Sequence, residues 1–433
     1  MKNTLLVAVG FAVTLCSCSP KIDDVINATE VERIERVLAA DDMRGRKTFS
    51  PEIDKAADFI AEEFKKSELE YREGLSSYYQ EFSMLKAIPA QIAGELNTTA
   101  LDTSNVAVST INKEIVLTNV EGYEVVTVGP SDEFGPKVYP LLRESKNVVV
   151  LIDTTHTNGF NRIKRYASRA KFASPTNQIF VLTTEVHPEN FSLQVVNSIE
   201  EEKLKNVVGI IPGASKKEEY VVFGAHYDHI GVGKPDAEND SIYNGANDDA
   251  AGTTAVVMLA KYFSQIKKNE RTLVFVAFTA EEIGGFGSRY FSEQFDPEKV
   301  MAMFNIEMIG TDSKWGPNSA YITGYERSTM GEILQANLTG SKFHFEPDPY
   351  PKQNLFYRSD NATFAALGVP AHTISTSKME EPPNDEPNYH KPSDEIETLD
   401  MNNMAEIIKA IALSSATIIS GEDTPSRVVK ENR

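Results

Sequence analysis

The chain has almost no cysteine. Two of its 433 residues are Cys, and both, Cys16 and Cys18, lie in the N-terminal segment. The body of the protein therefore has no disulfide framework and no thiolate to offer a metal. Basic residues are also scarce: 43 Lys and Arg against 63 Asp and Glu leave a net charge of −20. Nucleic-acid binding demands concentrated positive charge, so that class of partner is excluded. The apolar run at residues 5–15 is too short to span a bilayer comfortably, and no internal repeat is visible.

What is present is the composition of a soluble globular protein, 41% hydrophobic and 24% charged, long enough for one large or two medium domains. Lys2 followed by the apolar run reads as a targeting signal. The run ends in Leu15-Cys16-Ser17-Cys18, which resembles the bacterial lipobox, with Cys18 as the lipidated first residue of the mature chain. A plain secretory signal is the alternative. The expectation is a protein of the cell envelope (periplasm or outer membrane) that meets the membrane only through Cys18, or a secreted one if the lipobox reading fails.

After a signal at residues 1–18, residues 19–77 carry two amphipathic helices. Val31, Ile34, Val37 and Leu38 recur at helical spacing in the first, and Ala56, Phe59, Ile60 and Phe64 line one face of the second. Residues 78–203 change texture to short β-prone runs (QEFSM, EIVLT, YEVVTV, NVVVLID, QIFVLT) with one helical stretch around FNRIKRYASRA. His156 and His187 stand alone there, so this β-rich insert is expected to shape access rather than perform chemistry. From 204 to 425 strands alternate with helices, and TLVFVAF is apolar without alternation, as in a strand covered on both faces. The expected fold class is α/β: a mostly parallel open sheet with helices on both faces, with ligands beyond the carboxyl ends of the strands.

Chemistry-bearing residues fall where that rule puts a site. In residues 220–259, YVVFGAHYDHIGVGKPDAENDSIYNGANDDAAGTTAVVMLA, His226 and Asp228 follow an apolar strand, and Asp248 and Asp249 precede a helix entrance. An ordinary acidic turn fits that stretch equally well by itself. Three more segments decide it. Glu281 and Glu282 follow TLVFVAF directly, Glu307 interrupts the apolar FNIEMIG, and His390 lies in YHKPSDE. Adjacent carboxylates beside a buried strand are costly without a cation or solvent. His226, Asp248, Glu282, Glu307 and His390 make a nitrogen and oxygen set suited to zinc, or to cobalt or manganese in its place. Five protein ligands exceed one tetrahedral ion and point to two ions sharing a carboxylate.

HYDHIG, NGANDDAAG, FTAEEIGGFGS, NIEMIG and YHKPSDE, in this order, resemble the motifs of the co-catalytic zinc aminopeptidases, peptidase family M28. The resemblance covers residues 29–75 and 204–420, including the Gly-Arg between the first two helices, and the insert resembles the protease-associated domain. It implies an exopeptidase that removes N-terminal residues from peptides, with two zinc ions per chain. His226 and Glu307 would hold one zinc, Glu282 and His390 the other, and Asp248 would bridge. Glu281 would be the general base, and Tyr389 would donate to the oxyanion. Asp228 would hydrogen-bond the second ring nitrogen of His226, and Asp249 would shape the backbone beside Asp248. Arg358, Ser359 and Asp360 of FYRSDNATF would meet substrate. The family usually has Asp where Glu307 stands. His229 and His372 read as loop or core packing. Related chemistries on the same fold are glutaminyl cyclisation, with one zinc, and carboxypeptidase or N-acyl amino acid hydrolysis. A non-catalytic binding protein is the reading from another class, disfavoured because every ligand position and the base carry competent side chains.

Overall fold

The apolar segment RTLVFVAF forms the strand Arg271–Phe278, buried at every position. β-Branched and aromatic residues without polar alternation suit a strand packed on both faces. The computed structural model describes residues 20–142, 145–185, 187–380 and 386–430. Cys16 and Cys18, and with them the lipidation reading, lie outside the described residues. The described residues fall into two compact units, those within 1–80 and 205–433 and those within 81–204.

In the first unit the strand order is His344–Pro347, Ser319–Ile322, Ala371–Ser375, Val300–Ile306, Lys216–His226, Arg271–Phe278 and the end of Phe191–Ile211. Four of these six pairings are parallel. The exceptions are Ser319–Ile322 on Ala371–Ser375 and Arg271–Phe278 on Phe191–Ile211. The sheet is thus mixed, with a parallel centre.

Side-chain alternation along the central strands divides the core in two. Val221, Phe223, Ala225, Leu273 and Phe275 face one way, against helices Ala28–Leu38, Pro51–Lys66, Ala251–Ile266 and Met401–Ser414. Phe223 stacks there on Phe275 and Phe304 at 5.5 and 4.8 Å between ring centroids. Val222, Val274, Val276 and Phe278 face the other way, where they meet Phe291 and Phe364 of the short helices Phe286–Ser292 and Asn361–Ala366. The first helix starts at a cap in which the Asn27 side chain accepts from the Glu30 N–H at 3.1 Å. The long central helix starts against the sheet. A Cβ on Gly252 would fall 2.1 Å from the Ile306 carbonyl oxygen, so only glycine lets the Ala251–Ile266 helix begin this close to Val300–Ile306.

The second unit lies within residues 81–204. Its four-stranded sheet runs Val106–Ser109, Gln178–Leu182, Val148–Ile152, Glu124–Val128. Val148, Val150 and Phe180 pack against Phe160 and Ile163 of the helix Thr157–Ala167. Val149, Leu151, Ile179 and Val181 pack on the opposite face with Ile115, Leu193 and Val195. Among the described residues no helix is long and apolar enough to cross a membrane.

Candidate metal centre

Three neighbouring parallel strands bring the acidic and imidazole groups to one edge of the sheet. Lys216–His226 ends on His226, Arg271–Phe278 runs on to Glu281 and Glu282, and Val300–Ile306 is followed at once by Glu307. Asp248 comes from the turn before the central helix. That turn is fixed by Asp394, whose carboxylate accepts the N–H groups of Asn247 and Asp248 at 2.8 and 3.0 Å. Arg46, of the Gly-Arg pair, is buried and donates to the carbonyls of Leu38, Tyr227, Asn244 and Gly245 at 2.6–2.9 Å. One guanidinium thereby ties the opening helices to the end of the His226 strand and to the loop that presents Asp248.

The two oxygens of Asp248 face two different imidazoles. Oδ1 lies 3.2 Å from His226 Nε2, and Oδ2 lies 3.2 Å from His390 Nε2. Glu307 Oε1 is 3.3 Å from His226 Nε2, and Glu282 Oε2 is 3.4 Å from His390 Nε2. Ligands about 2.0–2.1 Å from a tetrahedral zinc are separated by roughly 3.3 Å, so donor separations of this size fit residues that could hold a metal. The buried Glu282 Oε1 has no hydrogen-bond partner, as expected of an atom reserved for a cation.

Titration behaviour agrees with a demand for positive charge. Burial disfavours a charged His226, yet Glu307 and Asp248 hold its pKa well above the imidazole value. Burial likewise opposes charge on His390, while Asp248 and Glu282 push it up to about 10. Burial raises Glu282 but the imidazoles of His229 and His390 hold it at about 2. Asp248 is held well below the usual carboxylate range, against its burial, by His226 and His390. Burial, helped by the charges of Asp360, Glu307 and Glu282 and opposed by His226, drives Glu281 well above the carboxylate range, toward a group that takes up a proton readily.

The remaining expected residues divide. Asp249 Oδ1 accepts from the N–H groups of Gly252 and Met308, both at 3.0 Å, joining the helix start to the strand that carries Glu307. Asp228 does not pair with the ring through its carboxylate, which lies 3.8 Å from His226 Nδ1. The ring nitrogen donates instead to the Asp228 main-chain carbonyl at 3.0 Å, because the carboxylate is engaged elsewhere. It accepts from the Thr48 hydroxyl at 3.0 Å and from the N–H groups of Glu281 and Glu282 at 3.0 and 3.3 Å. Tyr389 stacks on His390 at 3.9 Å between ring centroids, and its hydroxyl accepts from Arg358 Nη2 at 3.3 Å. Burial raises the Tyr389 phenol, so it stays a hydrogen-bond donor.

Beside Glu307 opens a cavity of about 50 Å³ that Arg358, Ser359, Tyr389, Met308 and several hydroxyl side chains line. Ser359 donates to Glu307 Oε2 at 2.5 Å and accepts from Asn305 Nδ2 at 2.7 Å. Asp360, expected to meet substrate, is instead 1% exposed and does not line this cavity. Its carboxyl is pushed up to about 7, first by burial. His372 packs in the core, donating from Nδ1 to the Thr323 carbonyl at 2.8 Å and accepting from the Ser328 hydroxyl at 2.7 Å. His229 departs from the packing expectation: its Nδ1 lies 2.7 Å from Glu282 Oε1. Its signal was in HYDHIG, a second imidazole three residues after the first, but no spacing rule shows which way a loop histidine turns.

A mixed α/β sheet with zinc-type donors gathered beyond the carboxyl ends of its central parallel strands is an arrangement suited to a metal-dependent enzyme. Residues 206–415 match the model of peptidase family M28, and this region belongs to that family. A probable leucine aminopeptidase of Arthroderma benhamiae is 27% identical over 268 residues, covering 57% of this chain and 70% of that protein. Aminopeptidase YwaD of Bacillus subtilis is 23% identical over 234 residues, covering 52% of this chain but only 47% of YwaD. The fold is shared with an aminopeptidase from Aneurinibacillus sp. strain AM-1, at a TM-score of 0.54 and 18% identity over 95% of this chain and 98% of that one.

Proposed function

We propose that the protein is a zinc aminopeptidase that holds two ions and removes N-terminal residues from peptides. The observation that carries this reading is Asp248, with one carboxylate oxygen beside His226 and Glu307 and the other beside His390 and Glu282. Zinc at those positions supplies a Lewis acid for the scissile carbonyl and lowers the pKa of water toward neutrality. Glu281, pinned by its own N–H to Asp228, takes the proton from the attacking water and returns it to the leaving amine. The Tyr389 hydroxyl donates to the oxygen that gains charge in the tetrahedral transition state. Glu307, held by Ser359 at the edge of the small cavity, faces the substrate's free ammonium. The cavity beyond it takes the first side chain.

The test is a set of peptides blocked at one end. Cleavage should require a free N-terminus and be indifferent to C-terminal amidation. Hydrolysis of N-acetylated peptides, or a requirement for a free carboxylate, contradicts the reading. The lipobox-like Leu15-Cys16-Ser17-Cys18 supports an envelope location with the lipid on Cys18. Cys18→Ser should then move the protein from the membrane fraction to the soluble fraction. Retention in the membrane would refute the anchor.

A further inference from the structure

His229 is wholly enclosed, its side chain 0% exposed, with its main chain anchored and its ring packed on two sides. Its main-chain N–H donates to the Arg46 carbonyl at 3.3 Å. One face lies on Gly245, where an added Cβ would fall 2.5 Å from ring atoms Cγ and Cδ2. The ring stands edge-on to His390, with centroids 5.8 Å apart. So held, Nδ1 sits 2.7 Å from Glu282 Oε1 and 4.0 Å from Asp248 Oδ2.

The short approach lacks hydrogen-bond geometry. Neither ring nitrogen of His229 has a hydrogen-bond partner, and neither has Glu282 Oε1. A buried imidazole nitrogen and carboxylate oxygen this close, without hydrogen-bond geometry between them, form a pair that a cation in front of both would satisfy. Together with Asp248, these groups form a cluster of three donors whose ligand atoms lie within 4.8 Å of one another.

We propose that His229 is a metal ligand, joining Asp248, Glu282 and His390 at the second zinc position. The inference rests on the two-metal reading above. With Nδ1 2.7 Å from Glu282 Oε1 and 4.0 Å from Asp248 Oδ2, His229 would supply a fourth protein donor at that position. The two positions are then unequal. The one with His226, Asp248 and Glu307 has three protein donors and keeps room for water and substrate. The one with His229 has four, approaches a closed site, and holds zinc more tightly.

Two measurements test this, neither of which reads activity. Chelator competition on metal-stripped protein should give two dissociation constants. His229→Ala should weaken the tighter one about 10–100-fold and leave the other nearly unchanged. X-ray absorption of the fully zinc-loaded wild-type protein should count three imidazoles over two ions, from His226, His229 and His390. It needs no variant, so it decides the question even if His229→Ala folds poorly. Two imidazoles over two ions, or unchanged affinities in the variant, overturn the assignment of His229 and leave the two-metal reading intact. A single ion in the loaded protein overturns both.

Discussion

Asp228 holds Glu281 by its main chain: the carboxylate Oδ1 accepts the Glu281 N–H at 3.0 Å. The carboxylate two residues after His226 thus positions the turn that carries both Glu281, the proposed base, and Glu282, while its own carbonyl orients the His226 ring. Asp228→Asn replaces one accepting oxygen with an N–H₂ that confronts those N–H donors. We expect kcat to fall about 10–100-fold and zinc affinity to weaken. Steady-state kinetics and chelator competition read the two effects.

Glu281→Gln keeps the shape of the side chain and removes its ability to take a proton. Bound zinc should stay at the wild-type amount by elemental analysis, while kcat falls about 10²–10⁴-fold. Near-normal turnover would show that another group is the base.

Ser359 bridges Asn305 and Glu307. Ser359→Ala frees the Glu307 carboxylate to rotate away from the substrate ammonium. A hydrogen bond to a charged group is worth about 1.5–3 kcal/mol, so KM for free-amine peptides should rise roughly tenfold or more, with a smaller change in kcat. An unchanged KM would place the ammonium elsewhere.

His372 gives the protein an acid-sensitive core. Burial lowers its pKa to about 4, so the folded chain keeps the ring neutral while the unfolded chain protonates it near 6.5. Because the folded value is the lower one, the stability is present above about pH 6.5 and lost as pH falls through 4. The loss is about 3 kcal/mol when complete. In denaturant titrations between pH 7 and 4, His372→Gln should start less stable and show a flatter acid limb. A parallel limb in wild type and variant would assign the acid sensitivity to other groups.

The sequence was most legible where chemistry and hydrophobic pattern coincide. TLVFVAF and the segments around His226 and Glu307 are apolar runs that stop at a polar donor, so strand, strand end and candidate ligand could be read together. The two opening helices are legible for a related reason: Val31, Ile34 and Leu38, and Ala56, Ile60 and Phe64, recur at helical spacing and lie on the buried faces of Ala28–Leu38 and Pro51–Lys66. The long strands Tyr79–Leu96 and Phe191–Ile211 were not legible as such, because polar and apolar residues alternate irregularly along them. Side-chain direction in loops was the other limit. Nothing in HYDHIG shows that the Asp228 carboxylate turns toward Glu281 while its carbonyl serves His226. Nor does it show that His229 turns inward to Glu282, since the Arg46 clamp and Gly245 set that ring from distant parts of the chain. Asp360 follows Ser359 directly, yet it is buried while Ser359 lines the cavity.

The most direct measurement is hydrolysis of an amino acid amide by metal-stripped protein as zinc is added back stepwise. Activity should rise and level off at two zinc ions per chain, because Asp248 presents one oxygen to each imidazole-bearing side of the site. A plateau at one ion per chain, or hydrolysis that survives metal removal, would contradict the two-metal reading.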